Sequence, residues 1–284
     1  MVFVWNDWNI CLVNFAVGLI MITIGAITFY LYGLLIGLGI LAATGIVEII
    51  RRKGLVNKNE LKSWSVGEVM VWAVGLGMIG ARIYHVVDLW KYYMVKPKEI
   101  LMLWNGGLGI YGGILGGILG ALIYSFKTVE KKSLKDVWKR FLTITDVVVM
   151  GVPLGQTIGR WGNFFNQELY GLPTSLPWGI YIRPENRLLE VMEYERFHPL
   201  FLYESLWCLF IFLILWRIVI KKKLKIGKGG IVLTYLGLYG LGRFMLEYLR
   251  IESWQIYGVN VAQGISAVLI GIVVSWWVKR LTAR

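Results

Sequence analysis

The amino-acid sequence predicts an all-α integral membrane protein with seven transmembrane helices. Mean hydropathy is +0.63, and charged residues make up 17% of the 284 residues, where a soluble domain carries roughly 25%. Three long stretches contain no Asp, Glu, Lys or Arg: residues 8–47, 100–126 and 257–278. Because a membrane-spanning helix needs about 20 apolar residues, these observations exclude a soluble enzyme, a disordered chain and a fibrous repeat.

Apolar runs bounded by charge predict a single transmembrane domain over residues 1–284. Residues 160–198 are polar and rich in proline, and are expected to form a small extracytoplasmic head between spans four and five. Residues 1–27 are expected to lie at the outer interface, with an extra span in residues 8–27 as the alternative. No cleaved signal peptide is expected, since no basic segment precedes the first apolar run. The predicted spans are residues 28–48, 66–87, 101–126, 141–159, 199–216, 229–248 and 259–278.

Lys and Arg are distributed unequally between the two sides of these spans. Twenty of the 30 lie in residues 51–62, 127–140, 217–228 and the C-terminal tail, whereas the opposite loops hold seven. Basic loops stay in the cytoplasm, which predicts a cytoplasmic C-terminus and places the N-terminus and the head outside. The net charge of +13 then reflects topology and contact with anionic lipids, and nucleic acid is not predicted as a partner.

Cofactor chemistry is not predicted. The two cysteines, Cys11 and Cys208, lie in apolar surroundings and form neither a disulfide framework nor a CxxC metal site. Asp, Glu and His do not cluster at ligand spacing, and the glycines lie in a predicted span rather than in a strand-to-helix phosphate loop.

Glycines recur every four residues along the third predicted span. Small residues at this spacing let helix backbones approach closely. Two interpretations are open: tight helix packing alone, or packing that also leaves room for a lipid. The two rows are Gly109, Gly113 and Gly117, and Gly112, Gly116 and Gly120.

Arginines at bilayer depth are the strongest sign of a site. A charged residue inside a membrane costs about 2.5–3.5 kcal/mol and usually faces a cavity or a partner. Arg82, Arg160 and Arg243 all fall in the outer half of their predicted spans. For each alone, snorkelling or a structural ion pair, such as Arg243 with Glu247, is the alternative. Three guanidinium groups at one depth predict a site for a phospholipid head group, because they match phosphate bidentately.

Tyrosines and a polar segment add to this prediction. Tyr32 and Tyr239 have hydroxyl groups suited to support a lipid site, with membership of the interfacial aromatic belt as the alternative. Residues 159–171, GRWGNFFNQELYG, carry two Asn, one Gln, one Glu and one Arg within nine residues at the end of a span. Packing alone rarely uses so many polar side chains, so a functional segment is predicted.

Residues 159–171 resemble the signature of the prolipoprotein diacylglyceryl transferase family, G-R-x-G-N-F-x-N-x-E-x-x-G, at every fixed position. The resemblance runs in order from residue 32 to residue 244. Its other elements are YGL at 32–34, with Leu31 in place of the family's tryptophan, GAR at 80–82, HPLFLYE at 198–204 and YGLGRF at 239–244.

The resemblance implies both a fold and a reaction. It implies seven transmembrane helices with the N-terminus outside, in agreement with the distribution of basic residues. It also implies transfer of the diacylglyceryl group of phosphatidylglycerol to the lipobox cysteine thiol of a preprolipoprotein, forming a thioether and releasing glycerol phosphate. The implied partners are phosphatidylglycerol, lipobox signal peptides and the lipid bilayer, and the implied location is the bacterial cytoplasmic (inner) membrane.

Matched positions suggest roles for individual side chains. Arg160 and Arg243 match the family's essential arginines and are expected to bind the head-group phosphate before and during displacement. The other matched or neighbouring positions are expected to position the lipid: Tyr32, Arg82, Gly112, Asn163, Asn166, Glu168, Gly171, Tyr203, Glu204 and Tyr239.

The group that takes the thiol proton is left open. Many relatives have histidine before the G-G of the third span, whereas this chain has Tyr111. A phenol has a reference pKa of about 10 and serves as a base only if nearby cations lower that pKa. His198 is a second candidate, with a structural role as the alternative, and a phosphate oxygen of the substrate is a third. His85 is expected to be a packing residue.

Two other classes of function compete with the transferase. A lipid or small-anion transporter would use the same arginines, but the internal repeats typical of transporters are not evident in the sequence. A catalytically lapsed relative is suggested only by Tyr111, and the intact segment 159–171 argues against it.

Overall fold

The computed structural model describes most of the chain in two compact units. Residues 31–55, 64–102, 106–130 and 133–282 are described fully, and residues 3–4, 10–12, 21–24 and 27–30 by their backbone. The first unit comprises residues 1–45, 149–223 and 231–284, and the second comprises residues 46–148 and 224–230.

Helices account for most of the described residues. They are α1 Leu31–Arg52, α2 Val66–Asp88, α3 Trp90–Val95, α4 Ile110–Thr128, α5 Leu134–Val148, α6 Val152–Asn166, α7 Leu200–Ile220, α8 Gly230–Leu246 and α9 Val261–Thr282. Single 3₁₀ turns cover Pro97–Leu101, Pro184–Asn186, Leu189–Val191 and Glu247–Leu249.

Short antiparallel strands complete the described structure. The strands are β1 Phe3–Val4, β2 Ile10–Leu12, β3 Met21–Ile24, β4 Ile27–Tyr30, β5 Ile180–Tyr181, β6 Arg196–Phe197, β7 Gln255–Ile256 and β8 Val259–Asn260. The first four pair in the order β1-β2-β3-β4, and the others form two two-stranded sheets, β5-β6 and β7-β8. The purely α-helical prediction is corrected to a mostly helical fold with little sheet.

Five of the described helices are long and apolar enough to cross a membrane: α1, α2, α4, α7 and α9. A sixth span results if α5 and α6 are counted together as one broken span. α8 has 17 residues, slightly fewer than the length of about 20 that a full crossing needs. The prediction of a multi-pass, mostly helical membrane protein is confirmed, while the count of seven spans stays a prediction.

Local backbone preferences explain where predicted and observed helices differ. The predicted span 141–159 is interrupted at residues 149–151, because Gly151 and then Pro153 in the first turn of α6 favour a helix start there. The predicted span 101–126 begins as helix only at Ile110. Gly106 and Gly107 have φ angles of 79° and 75°, which L-residues rarely adopt.

Much of the predicted N-terminal segment lies outside the described residues. The parts of residues 1–27 that are described form strands and not a helix. The predicted head, residues 160–198, overlaps the end of α6, which continues to Asn166. The rest of the head surrounds a small core formed by Tyr170, Ile182, Val191 and Phe197.

Glycines bring the helices of the first unit into close contact. Gly39 of α1 faces Gly155 of α6, and a Cβ built on Gly155 would lie 3.0 Å from the Gly39 carbonyl oxygen. On α8, a Cβ built on Gly237 would lie 2.7 Å from the side chain of Val273 in α9. These contacts fix the spacing of the helices from which the charged side chains of the site project.

The glycine rows of the third predicted span pack α4 against α2 within the second unit. Gly112, Gly116 and Gly120 are buried. A Cβ on any of them would overlap a backbone carbonyl oxygen of α2, at Gly80, Leu76 and Trp72 respectively. This row of glycines therefore packs tightly against α2, as the first of the two interpretations expects.

We expect Gly116→Ala to lower the free energy of unfolding by about 1–3 kcal/mol, because the new methyl group overlaps the Leu76 carbonyl. Gly117→Ala is the matched control on the same helix, since its Cβ would lie 3.5 Å from the Ala73 carbonyl oxygen, an ordinary contact. Thermal unfolding in detergent checks the pair. Equal melting temperatures for the two variants would contradict the close approach of α2 and α4.

Candidate functional site

Three arginines and two glutamates form one ion-pair network in the first unit. Arg160 of α6 lies 2.8 Å from Glu204 of α7, measured from Nη1 to Oε2. Arg243 of α8 lies 2.8 Å from Glu247 through Nη2 and 3.8 Å from Glu204 through Nη1. Arg250 completes the network, with nitrogens 3.9 Å from each carboxylate. Side chains from three helices thus converge on one point.

The network is largely shielded from solvent and carries an excess positive charge. Glu204 and Glu247 are 7% and 4% exposed, and each arginine side chain is about one-fifth exposed. Three guanidinium groups and two carboxylates leave one positive charge, which suits a singly charged phosphodiester. Charge interactions are strengthened where water is excluded, and guanidinium groups bind phosphate bidentately.

Helical spacing brings the C-terminal part of this network together. Arg243, Glu247 and Arg250 are separated by four and three residues, which places them on one face of a helical segment. Gly242 lets this segment approach α7, because a Cβ there would overlap the indole of Trp207. The Trp207 Nε1–H donates to the Leu238 carbonyl at 2.9 Å and holds the two helices in register.

Gly171 of the signature segment holds the backbone next to Arg250. Its N–H donates to the His198 carbonyl at 2.9 Å, and the Leu172 N–H donates to the Leu249 carbonyl at 2.8 Å. A Cβ on Gly171 would lie 2.9 Å from both the His198 Cβ and the Leu249 carbonyl oxygen. Only glycine fits between these segments, so Gly171 acts by allowing close backbone packing.

The signature segment also orders its own polar side chains. Asn163, buried in α6, donates from Nδ2 to Glu168 Oε1 at 2.9 Å. The Tyr32 hydroxyl lies near the Asn163 side chain, and the Tyr32 ring lies where a Cβ on Gly162 would be. Gln167 ends the helix with φ 53°. Tyr32, Asn163 and Glu168 therefore lie together beside Arg160.

A small cavity of about 10 Å³ lies at the ion-pair network, and a larger one lies in the head. The first is lined by Arg160, Glu204, Cys208, Tyr239 and Arg243, among others. The second has a volume of about 330 Å³ and is lined by residues that include Asn166, Glu168 and Arg250. Arg250 is thus close to both the network and the head cavity.

His198 and Tyr203 form a separate pair at the start of α7. The Tyr203 hydroxyl lies 3.2 Å from His198 Nδ1 and accepts a 2.8 Å hydrogen bond from Trp178 Nε1. Backbone hydrogen bonds also tie His198 to Gly171 and Leu172. These contacts engage one ring nitrogen of His198, and its role as a base stays a prediction.

Arg82 lies in the second unit and is bonded to a loop. It is buried, and all five of its N–H donors are directed at backbone carbonyl oxygens. Its contact with a lipid stays a prediction, since no donor is left free in this conformation. The acceptors belong to Glu99, Ile100, Met102, Gly106 and Gly107.

Tyr111 lies in the first turn of α4 in the second unit, and it is 58% exposed. Its ring lies 5.8 Å from that of Tyr84, and its hydroxyl has no hydrogen-bond partner among the described residues of this unit. Gly112, next to it, packs on Gly80. His85 makes an edge contact with Tyr93 at 5.9 Å, in agreement with its predicted packing role.

Sequence reasoning missed two members of the site. Arg250 is one of the seven basic residues of the opposite loops, although its spacing from Arg243 and Glu247 signals a shared face. Asn260 donates from Nδ2 to Glu247 Oε1 at 3.1 Å and accepts the Gln263 N–H at 3.1 Å. Asn260 therefore caps α9 and also bonds Glu247, and nothing in its local sequence indicates the contact with Glu247.

Among the described residues, no three His, Cys, Asp or Glu side chains are grouped to hold a metal ion.

Comparison with known proteins decides the family. The family model of prolipoprotein diacylglyceryl transferase matches residues 19–279. The chain belongs to this family. Curated relatives named phosphatidylglycerol–prolipoprotein diacylglyceryl transferase include that of Fervidobacterium nodosum, which is 41% identical over 87% of this chain and 79% of its own length. The relative from a Nostoc species is 37% identical over 88% and 84%, and that from Finegoldia magna is 39% identical over 84% and 86%.

Membership of the diacylglyceryl transferase family confirms the resemblance seen at residues 159–171. Residues 159–166 of that segment lie in α6 and residues 167–171 follow it, within the first unit. The segment contributes Arg160 to the ion-pair network. Arg243, from the second matched element, lies in the same network. The two arginines that the resemblance singled out are therefore brought together by the fold, although they are 83 residues apart in the sequence.

Proposed function

We propose that this chain transfers the diacylglyceryl group of phosphatidylglycerol to the lipobox cysteine thiol of preprolipoproteins. The product is a thioether, and glycerol phosphate is released. The observation that carries the proposal is the network of Arg160, Glu204 and Arg243, whose excess positive charge lies among apolar helices. The singly charged phosphodiester of a phospholipid complements the charge of this network, and its acyl chains suit the apolar helices around it.

We further propose the membrane arrangement in which this reaction takes place. Seven spans place the N-terminus and the head outside and the C-terminus in the cytoplasm, as the distribution of basic loops predicts. The protein lies in the bacterial cytoplasmic membrane, and residues 1–27 lie at its outer interface. The network then faces the outer leaflet, where a translocated lipobox peptide meets the lipid.

The proposed step is a displacement at the glycerol carbon next to the phosphate. The thiolate sulfur forms a bond to this carbon, and the bond between the carbon and the phosphate oxygen breaks. The electron pair of that bond stays on the oxygen, so negative charge grows on the departing glycerol phosphate. Arg160 and Arg243 stabilise this charge. Electrostatic stabilisation by preorganised donors is usually the largest single contribution to catalysis.

Glu204 and Glu247 keep the arginines in place before the lipid binds. Without an anion, unpaired guanidinium groups repel one another, and the two carboxylates relieve that repulsion. When the phosphate enters, Arg160 and Arg243 exchange part of their contact with Glu204 for contact with the lipid. The long 3.8 Å separation between Arg243 and Glu204 leaves a donor available for this exchange.

Tyr111 is the proposed acceptor of the thiol proton. We expect Tyr111→Phe to lower the transfer rate about a hundredfold, as loss of a general base typically does. The role requires the phenolate form of Tyr111, and its position in place of the family's histidine supports it. The measurement is the rate of peptide modification at saturating lipid.

Tyr84→Phe is the matched control for this prediction, because Tyr84 contacts the Tyr111 ring and has no assigned chemistry. It is expected to retain its rate, as is His198→Asn, since His198 is held in a structural pair with Tyr203. Full activity of Tyr111→Phe would remove Tyr111 as the base and leave a phosphate oxygen of the substrate as the acceptor.

A mass assay tests the proposed function. Purified protein in detergent is mixed with phosphatidylglycerol and a lipobox peptide, and the peptide mass and released glycerol phosphate are measured together. We expect one diacylglyceryl group per peptide and one glycerol phosphate released with it, and no product from a peptide with serine in place of the cysteine. A folded protein that moves phosphatidylglycerol between vesicle leaflets without modifying the peptide would instead be a transporter.

A further inference from the structure

A second layer of polar side chains lies one helical turn below the arginines. Gln156 precedes Arg160 by four residues on α6, and Tyr239 precedes Arg243 by four on α8, with Tyr235 one turn further. Residues four apart lie one above the other on the same helix face. The arginine layer is therefore followed, deeper in the first unit, by hydroxyl and amide groups.

Contacts within this layer orient the Gln156 amide. The Tyr235 hydroxyl donates to Gln156 Oε1 at 3.1 Å, and the Cys208 thiol lies 3.7 Å from the same oxygen. The Tyr235 ring stacks on Tyr239, with 5.8 Å between ring centroids. Tyr239 and Cys208 in turn line the cavity at the ion-pair network. The amide is thus fixed with its oxygen toward Tyr235 and Cys208.

The other end of the Gln156 amide is unused. Its Nε2 makes no hydrogen bond with the residues that the structure describes, although two donors converge on its oxygen. Gln156 is only partly buried, so this N–H is open to a ligand. A ligand that brings a hydrogen-bond acceptor to this depth would gain a hydrogen bond from it.

A glycerolipid carries such an acceptor at the matching distance from its phosphate. One helical turn advances ~5.4 Å, which is comparable to the few bonds between the phosphorus and the ester carbonyl at the second glycerol carbon. With the phosphate at Arg160 and Arg243, that carbonyl reaches the depth of Gln156. Acyl chains then continue toward the apolar part of the bundle.

We propose that Gln156 Nε2 donates a hydrogen bond to an ester carbonyl of the bound phospholipid, and so selects diester over diether lipids. The inference rests on the proposed function, in which phosphatidylglycerol is the substrate. Tyr235 is a positioning residue that holds the amide through its oxygen. The displaced bond is between glycerol carbon and phosphate oxygen, so neither ester bond breaks and a diether lipid can undergo the same step without offering the carbonyl.

The experiment compares diester with diether phosphatidylglycerol of the same chain length. Transfer to a lipobox peptide is measured with each lipid for the wild type, for Gln156→Met and for Gln255→Met, a matched change at an exposed position in β7. We expect the wild type and Gln255→Met to prefer the diester about five- to tenfold in kcat/KM, the worth of one hydrogen bond. Gln156→Met is expected to reduce that preference to near one by losing activity on the diester alone.

Tyr235→Phe is a second variant that keeps the ring and removes only the hydroxyl. It frees the amide to rotate and is expected to give an intermediate preference. Equal rates on the two lipids with the wild type, or an unchanged preference in Gln156→Met, would overturn the inference while leaving the transferase proposal intact. Binding of each lipid, measured by native mass spectrometry, gives the same comparison without turnover, so absence of all transfer would refute only the proposed function.

Discussion

Arg160→Ala is expected to lower the rate of diacylglyceryl transfer by about a hundred- to a thousandfold while the protein stays folded in the membrane. Removing one preorganised donor for developing negative charge typically costs this much. Arg160 is well placed for such a role because its guanidinium lies beside the cavity with Glu204 and Arg243. The assay is the initial rate of peptide modification, with the melting temperature measured alongside.

Two further arginine variants sharpen this result. Arg160→Lys keeps the charge but loses the planar fork that binds phosphate bidentately, so a partial loss of rate is expected. Arg217→Ala removes an exposed arginine near the other end of α7 and is expected to retain full activity. Turnover at the wild-type rate in folded Arg160→Ala would end the assignment of Arg160 to the phosphate.

Glu204→Gln is expected to lower the free energy of unfolding by about 3–5 kcal/mol. Removing one member of a buried charge network leaves its partners uncompensated, and here three guanidinium groups would share the single carboxylate of Glu247. The same change should enlarge the stabilisation produced by phosphatidylglycerol, since the lipid phosphate then supplies the missing negative charge. Chemical unfolding with and without added lipid measures both effects.

Glu185→Gln is the matched control for Glu204→Gln. Glu185 is 56% exposed and lies 3.8 Å from Arg183, and surface ion pairs of this kind contribute about 0–1 kcal/mol. Its variant is expected to unfold close to the wild type and to gain nothing extra from lipid. A Glu204→Gln protein as stable as the wild type, with an ordinary response to lipid, would show that the five charged groups do not act as one network.

The sequence predicts the membrane class and the arginines of the site because both depend on local patterns. Long charge-free runs require burial in lipid or protein, and α1, α4 and α9 each overlap one of the three runs. The signature at 159–171 identified Arg160, and YGLGRF identified Arg243. Their convergence on Glu204 was not predicted, because it depends on how α6, α7 and α8 pack.

Arg250 and Asn260 show what local patterns leave out. Arg250 lies in a short connection where loop charges are normally interpreted as topology signals. Its place in the site depends on the backbone contact between Gly171 and the segment that carries it. Asn260 reaches Glu247 across a turn, a contact between side chains 13 residues apart that no helical or strand period describes.

The interrupted helices differ from the prediction for a related reason, while the lipid contact of Arg82 stays a prediction. The depth of Arg82 suggested a lipid contact, but its donors are taken by the loop that follows α3. The start of α4 and the break before α6 follow glycine and proline positions that were outweighed by the apolar run around them. Glycine and proline close together, as at Gly151 and Pro153, end or start a helix even within an apolar run.

The most direct test of the account compares the wild type with Arg243→Ala in the peptide mass assay with phosphatidylglycerol. Addition of a diacylglyceryl mass to the lipobox cysteine by the wild type, and its loss in a folded Arg243→Ala protein, is the predicted result. Arg217→Ala should match the wild type. An intact wild-type protein that adds no diacylglyceryl group with any of several anionic lipids, or an Arg243→Ala protein that adds it at the normal rate, would contradict the account.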